Sequence, residues 1–385
     1  IEDSKTISMR PLVQLLYPSL LALAAITASP MVLHAAQPAP NPQYAKNFSI
    51  QEYPTHKLLS ISGLPSQSKQ PWQFALVPKG HAVPEIPLGA KLIRTPVERV
   101  VVMETVYIGY LEAINQLPTI VGAGTVDFIS NPEVRQRIRN NEIQSVQVGQ
   151  ELDIERLLLL QPDLILTSIS GDPTFDIPAK ILRSDLPVVL TAGYMEAHPL
   201  ARAEWIKFIA AFFDADAEAH ATFQTTANRY EALRQTAINR ATRPTVFCGA
   251  PYSGAWYVPG GESYMAQAIK DAGGDYLWAD HPQQGAIPLD TERVFFKAAL
   301  ADIWLDPSHY RSLDELFAAD NRFRKFRAAQ NGSVYNNTKQ VGTKGGNAIW
   351  ERGIVHPDKV LEDLIQIFHP ASNSPQNFSF YEKLN

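Results

Sequence analysis

The sequence is poor in the residue types on which covalent and metal chemistry most often depends. Its 385 residues include a single cysteine, Cys248. One cysteine excludes an intramolecular disulfide, a CxxC pair and a multi-cysteine zinc site. The nine histidines show no i, i+4 pairing, which argues against a dedicated histidine metal site. We therefore expect no resident metal or cofactor, and a fold stabilised by packing.

The sequence also lacks a large excess of either positive or negative charge. The chain has 34 basic and 39 acidic side chains, a net charge of −5, and both signs are scattered along it. No continuous basic face for a phosphate backbone results, so we expect no nucleic-acid partner. With 45% hydrophobic and 19% charged residues, the composition is that of a globular protein with at least one sizeable core.

Several catalytic motifs are missing. The sequence contains no GxSxG elbow, no GxxxxGK[ST] loop and no HExxH. Gly122 and Gly124 follow a predicted strand, but the third glycine of a dinucleotide fingerprint is replaced by Asp127, so a tight turn is the better interpretation. Cys248 lies in the apolar stretch TVFCGA, where a buried, inert thiol is expected. The absence of a nucleophile, base and orienting residue that converge favours a non-enzymatic protein.

The first 36 residues have the pattern of an export signal. Met9 and Arg10 precede a stretch, residues 11–36, that contains no Asp, Glu, Lys or Arg. Its LLALAAI segment resembles the apolar region of a signal peptide, and small residues follow at positions 35 and 36. An uncleaved membrane anchor is the alternative. The favoured interpretation predicts a periplasmic protein, and no cysteine lies nearby to carry a lipid.

The body of the chain repeats itself. Asp153-x-Glu155-Arg156 and Asp290-x-Glu292-Arg293 each open a predicted helix that leads into an apolar strand. In both, the Asp suits the N-cap and the Glu suits the first turn, so these carboxylates are structural. Short apolar strands that alternate with helices predict an α/β fold: two homologous Rossmann-like lobes with parallel sheets.

A long helical connection is predicted between the lobes. Residues 200–240 contain neither Gly nor Pro. A helix from Asp216 to about Arg240 would be roughly 37 Å long. We expect a stiff crossover, a ligand cleft between the lobes, and little hinge closure.

Aromatic and small polar residues follow the predicted strands of both lobes. Ligands of such sheets bind beyond the carboxyl ends of the strands. The sequence therefore predicts a wide, aromatic-lined cleft. The candidate ligand-binding residues are Tyr107, Tyr194, Tyr252, Trp256, Trp278, Asn347, Trp350 and Arg352.

Over about residues 93–370 the sequence resembles the periplasmic solute-binding proteins of ABC importers in the class with a rigid helical crossover. The stretches ERLLLLQPDLIL and VPGGESYMAQAIKDAGG carry the resemblance most specifically. It implies a monomer that captures a ferric siderophore and delivers it to an inner-membrane permease. Cobalamin or haem is the alternative ligand with the same role, and a secreted two-lobed α/β enzyme is a less favoured alternative.

The resemblance also implies how such a protein docks on its permease. Family members dock through one surface carboxylate on each lobe, whereas the matching positions here are Gly109 and Gln267, with Glu112 and Glu262 nearby.

The expected divisions are a signal peptide (1–36), a linker with a small β-decoration (37–92), an N-terminal lobe (93–198), crossover helices (199–242), a C-terminal lobe (243–370) and a tail (371–385).

Overall fold

The computed structural model describes residues 42–64, 71–124, 126–148, 151–169, 176–182, 184–371 and 376–385. The predicted signal peptide lies outside the described residues. Among the residues described, no helix combines the length and apolar character needed to cross a membrane.

A four-stranded sheet precedes the first lobe. Its strands, in spatial order, are β1 (Phe48–Glu52), β2 (Lys57–Ile61), β3 (Trp72–Pro78) and β4 (Lys91–Thr95). The first three are antiparallel, and β4 runs parallel to β3. Alternate side chains such as Leu59 and Phe74 point inward and join the main core, so this sheet is packed on the body of the protein.

The segment that leads into this sheet is held by two buried carboxylates. Glu204 accepts hydrogen bonds from the backbone N–H groups of residues 43, 44 and 45 at 2.7–2.9 Å. Glu196 accepts from those of residues 46 and 47 at 3.0–3.2 Å. Five consecutive backbone N–H groups are thereby fixed to the start of the crossover.

The N-lobe contains a five-stranded parallel sheet of order β11-β10-β5-β6-β7. Its elements are β5 (Val100–Val102), α1 (Val106–Ala113), β6 (Ile120–Ala123), α2 (Pro132–Arg139), β7 (Gln144–Ser145), β8 (Gln147–Val148), β9 (Glu151–Leu152), α3 (Ile154–Leu159), β10 (Leu164–Ser168), α4 (Ala179–Leu182) and β11 (Val188–Thr191). The strand order reverses between β5 and β10. Such a reversal leaves a crevice at the carboxyl ends of the two strands.

Two helices form the crossover, α5 (Pro199–Ala210) and α6 (Asp216–Ile238). On α5, Trp205 and Phe208 are at most 1% exposed. The predicted long helix is present, with 23 residues. Asp216 in its first turn pairs with Lys57 at 2.6 Å, and Asp214 just before it has a left-handed backbone with φ 54°.

The C-lobe repeats the parallel arrangement in a sheet of order β15-β12-β17-β18-β19, in which β19 alone is antiparallel. Its elements are β12 (Thr245–Cys248), β13 (Pro251–Tyr252), β14 (Ala255–Pro259), α7 (Tyr264–Asp271), β15 (Asp275–Tyr276), β16 (Ala286–Leu289), α8 (Thr291–Ala298), β17 (Ile303–Leu305), α9 (Leu313–Ala319), α10 (Arg327–Gln330), β18 (Val334–Asn336), α11 (Arg352–Val355), α12 (Pro357–Phe368) and β19 (Glu382–Lys383). Strand β19 lies in the segment expected to be a tail. Strands β13, β14 and β16 form a separate antiparallel sheet.

The predicted helix caps are confirmed. The side chain of Asp153 accepts a hydrogen bond from the backbone N–H of Arg156 at 3.0 Å. Asp290 accepts from those of Glu292 and Arg293 at 2.9 and 3.2 Å. The repeated motif thus starts one equivalent helix in each lobe, and the two-lobed α/β fold predicted from the sequence is confirmed.

A loop of the C-lobe, residues 342–351, ties the lobes together. The buried carboxylate of Glu351 accepts from the backbone N–H of Ser130 at 2.6 Å, from its hydroxyl at 2.7 Å and from the backbone N–H of Asn131 at 3.0 Å. Asn131 caps α2, so the carboxylate lies at the positive end of that helix. Lys344 adds an exposed ion pair with Asp127 at 2.6 Å. This interlobe loop is a second connection besides the crossover.

Candidate functional site

A cavity of about 470 Å³ lies at the carboxyl ends of the C-lobe strands and reaches toward the N-lobe. This size lies within the range of small-molecule sites. Much of its lining is apolar: Val258, Pro259, Met265, Ala268, Ile349 and Ile354. The cavity therefore favours an organic surface over a bare hydrated ion.

Three half-exposed aromatic side chains line the cavity. Tyr194 follows the last strand of the N-lobe, Tyr257 lies on β14 and Trp350 belongs to the interlobe loop. Their exposed fractions, 41%, 42% and 45%, show that one part of each ring remains free to contact a ligand. Because they come from both lobes and the loop between them, a ligand here would contact all three parts.

Arg202 brings a positive charge into this lining. It lies on α5, with its guanidinium 4.1 Å from the centre of the Tyr264 ring. Its Nε is buried without a hydrogen-bond partner, and no carboxylate of the described residues forms an ion pair with it. An arginine held on an aromatic face keeps its planar donors available for a carboxylate, catecholate or similar oxygen.

Asp306 brings a carboxyl group into the same lining, at the end of β17. Its Oδ2 accepts from the hydroxyl of Tyr381 at 3.3 Å, and burial raises the pKa of Asp306 to about 7. Burial also raises the pKa of Tyr264, and the positive charge of nearby Arg202 opposes this rise. The cavity thus holds four phenols, one guanidinium and one carboxyl group within a largely apolar surface.

A smaller cavity of about 50 Å³ lies on the N-lobe side and shares Tyr194, Arg202 and Ile354 with the main one. Tyr107 lines it, 1% exposed, with its hydroxyl 2.9 Å from that of Thr191. The two cavities meet at Arg202, so a ligand in the main cavity would lie beside this small extension.

Of the eight candidate residues, Tyr194 and Trp350 line the main cavity and Tyr107 lines the smaller one. Two tryptophans are instead part of the core: Trp256 is fully buried, with its indole N–H donating to the carbonyl of Cys248 at 3.0 Å, and Trp278 is 5% exposed. Large aromatic side chains serve a core as well as they serve a ligand, and here burial against Phe247 and Trp304 takes Trp256 away from the cleft.

The other three candidates also lie outside the lining of both cavities. Tyr252 is 68% exposed on β13. Asn347 caps a turn of the interlobe loop, accepting from the N–H of Ile349 at 3.1 Å. Arg352 donates to Gln340 at 3.2 Å and lies 3.9 Å from the carboxylate of Glu112. Its Nη2 is therefore used within the protein, while its Nε, like that of Arg202, is buried without a hydrogen-bond partner.

Sequence reasoning missed several polar residues of the cavity, among them Arg202, Tyr264, Asp306 and Tyr381. Only Asp306 carried a usable signal, because it directly follows an apolar strand of a predicted parallel sheet, where ligands bind. Tyr381 lay in the expected tail, and nothing local indicates that this segment returns to pair with β18. Among the described residues, no three His, Cys, Asp or Glu side chains are grouped to hold a metal ion.

A sequence model described as periplasmic binding protein matches residues 100–341. The chain belongs to the periplasmic binding protein family. This match confirms the resemblance noted from the sequence, and it covers the N-lobe, the crossover and most of the C-lobe.

Other proteins are similar to this chain in sequence or in fold. An uncharacterized lipoprotein of Methanocaldococcus jannaschii is 27% identical over 307 residues, which cover 77% of this chain and 70% of the relative. A periplasmic heme binding protein from Pseudomonas aeruginosa superimposes with a TM-score of 0.57 at 16% identity, covering 75% of this chain and 98% of that one. A possible iron-binding periplasmic protein from Staphylococcus epidermidis gives a TM-score of 0.56 at 17% identity, covering 71% and 100%. These structures share the fold of this family member.

Proposed function

We propose that this binding protein captures a ferric siderophore outside the cytoplasm and delivers it to an ABC permease in the inner membrane. The observation that carries the proposal is the cavity between the lobes, in which Arg202 lacks an ion-pair partner and aromatic side chains are half-exposed. A receptor for an organic anion needs a cation that is free to pair with the ligand. An arginine already paired with a carboxylate of the protein would not be free in this way.

The chemistry of a chelate explains why such a cavity suits it. Ferric iron in a siderophore is already surrounded by hard oxygen atoms, so the protein has to bind the organic shell. Aromatic rings such as Tyr194 and Trp350 pack against that shell, while Arg202 pairs with its oxygen atoms. Apolar walls exclude water and strengthen the charge interaction.

Haem is the second candidate, and the apolar lining is the observation that favours it. A porphyrin presents a flat apolar face and two carboxylates, which the cavity could meet with Ile349, Ile354 and Arg202. The similar fold of a protein named as heme-binding adds support. The transport role would be the same.

The two residues at the positions of the permease-docking carboxylates, Gly109 and Gln267, make contacts within the protein. A Cβ added at Gly109 would lie 2.3 Å from the carbonyl oxygen of Glu351, so α1 and the interlobe loop meet there backbone to backbone. Gln267 donates to the buried Asp271 at 2.8 Å. We propose that docking uses the exposed Glu262 and the half-exposed Glu112 nearby instead.

The test is a titration of purified protein with a ferric tris-catecholate, ferrioxamine B, haemin and cyanocobalamin, followed by tryptophan fluorescence. A coloured chelate in the cavity quenches Trp350, and Trp350→Phe should remove most of that quenching without abolishing binding. Recovery of the ligand unchanged by mass spectrometry distinguishes a binding protein from an enzyme. Failure of every iron chelate to bind would refute the siderophore proposal, and tight binding of haemin alone would replace it with the second candidate.

A further inference from the structure

Asp306 has one carboxylate oxygen that nothing in the described part of the protein satisfies. Its Oδ2 accepts from the Tyr381 hydroxyl at 3.3 Å, whereas Oδ1 is buried and has no hydrogen-bond partner. The residue follows β17 with a left-handed backbone, φ 51°, which is uncommon for a side chain other than glycine. The strand thus ends on a carboxyl group that belongs to the cavity lining.

Apart from Arg202, the titratable groups near Asp306 are neutral. Tyr264 of α7, Tyr381 before β19 and Cys248 at the end of β12 are the titratable neighbours, and burial raises the pKa of each above its usual value. The side chain of Asn337, after β18, lies close enough to favour the ionised form of Asp306, but no hydrogen bond to Oδ1 is formed. Arg202 is the nearby cation. The charges of Arg202 and Asp306 both influence the pKa of Tyr264, but the two residues form no ion pair with each other. No internal cation therefore neutralises this carboxyl group among the described residues.

Such an arrangement is costly to the protein alone. A buried acceptor without a donor loses its hydration and gains nothing in return. Buried polar groups of this kind are uncommon and concentrate at functional sites. Glu104, after β5 of the N-lobe, also has a buried oxygen without a partner, Oε2, while its Oε1 accepts from Thr167 and Ser168 at 3.1–3.2 Å, but it lies outside both cavity linings. The carboxyl group that faces the cavity is thus Asp306.

We propose that Asp306 determines specificity by binding a protonated amine carried on the periphery of the chelate. The inference rests on the proposed function and narrows its ligand class: the oxygen-rich iron centre is placed toward Arg202, and a cationic amine tail toward Asp306. The two unpaired protein charges then select a ligand that has both signs. An ammonium group supplies the donor that Oδ1 lacks and the positive charge that the neutral surroundings do not provide.

The experiment compares ferrioxamine B, which carries a free amine, with its N-acetylated derivative, which has the same iron centre and no charge on the tail. Wild-type protein should bind the amine form roughly tenfold to a hundredfold more tightly. Asp306→Asn should abolish that preference, and Asp314→Asn, an exposed carboxylate on α9, should leave it intact.

The pH profile tests the same proposal without a variant at Asp306. Because the carboxyl group must be ionised to bind an ammonium, affinity for ferrioxamine B should rise with pH up to about 7 and then level off, while affinity for the acetylated form should stay flat. Tyr381→Phe removes a donor to the ionised form and should move the midpoint to higher pH.

The outcomes separate the two proposals. Equal binding of both forms by wild-type protein, or an unchanged preference in a folded Asp306→Asn variant, overturns the role of Asp306 while the transport function stands. Binding of haemin or a tris-catecholate with no binding of ferrioxamine B also overturns it. Binding of no chelate at all refutes the proposed function itself.

Discussion

Replacing Glu351 by alanine tests whether the interlobe loop holds the two lobes together. The fully buried carboxylate accepts three hydrogen bonds from Ser130 and Asn131. Removing it leaves two backbone N–H groups at the start of α2 without their acceptor. Burial raises the pKa of Glu351, so desolvation offsets part of what the hydrogen bonds contribute.

A hydrogen bond to a charged group contributes about 1.5–3 kcal/mol, and three bonds to one carboxylate are not additive. We therefore expect Glu351→Ala to lower the free energy of unfolding by about 3 kcal/mol. Glu351→Gln, which keeps one acceptor oxygen, should lose about half as much. Ser130→Ala removes only the hydroxyl donor and should cost about 1 kcal/mol.

Urea unfolding followed by both circular dichroism and tryptophan fluorescence measures these losses. The variants should also show whether the lobes still unfold together, since separate transitions in Glu351→Ala would indicate that the loop couples them. A loss in Glu351→Ala no larger than that in Ser130→Ala would refute the reasoning, because the backbone hydrogen bonds would then contribute nothing.

Four further predictions can be tested, three from the structure and one from the sequence. Ligand binding should leave the radius of gyration from solution scattering nearly unchanged, because the crossover and the interlobe loop both resist closure; a clear contraction would contradict this. Arg202→Gln should weaken binding of a ferric tris-catecholate by roughly tenfold to a hundredfold and that of a neutral hydroxamate less, and a larger loss in Arg352→Gln would return the role to the residue chosen from sequence. Because burial raises the pKa of Asp306 to about 7, the folded state binds its proton more tightly than the unfolded state, so this residue makes stability fall as pH rises toward 7; Asp306→Asn should flatten that slope in thermal unfolding at a series of pH values. Protein recovered from the periplasm should begin between about residues 29 and 40 and need no detergent, whereas an intact Met9 terminus in the membrane fraction would favour an anchor.

The sequence predicted the fold well because its signals are local. A capping Asp, an apolar run and a stretch without Gly or Pro each act within one element, and Asp153, Asp290 and the 23-residue helix α6 are found where these signals indicate. The parallel sheets follow from the alternation of such elements. Predicting these elements required no information about contacts between segments that are distant in the sequence.

The site depends on contacts that are distant in sequence, and such contacts are harder to predict from local patterns. Tyr194 and Trp350 could be found because they follow strands or a glycine-rich loop. Trp256 fits the same pattern, yet it packs into the core, and sequence alone does not distinguish the two fates of an aromatic residue. Tyr381 reaches the cavity because β19 pairs with a strand more than forty residues earlier in the chain.

The five backbone N–H groups of residues 43–47, held by Glu196 and Glu204, have a mechanical consequence. A pull on the chain upstream of residue 42 is borne by these hydrogen bonds together, because they load in parallel on two carboxylates. The force then passes through Trp205 into the rest of α5, which contacts α1 of the N-lobe and α7, α11 and α12 of the C-lobe. Tension from a tether would thus enter the crossover, which spreads it over both lobes.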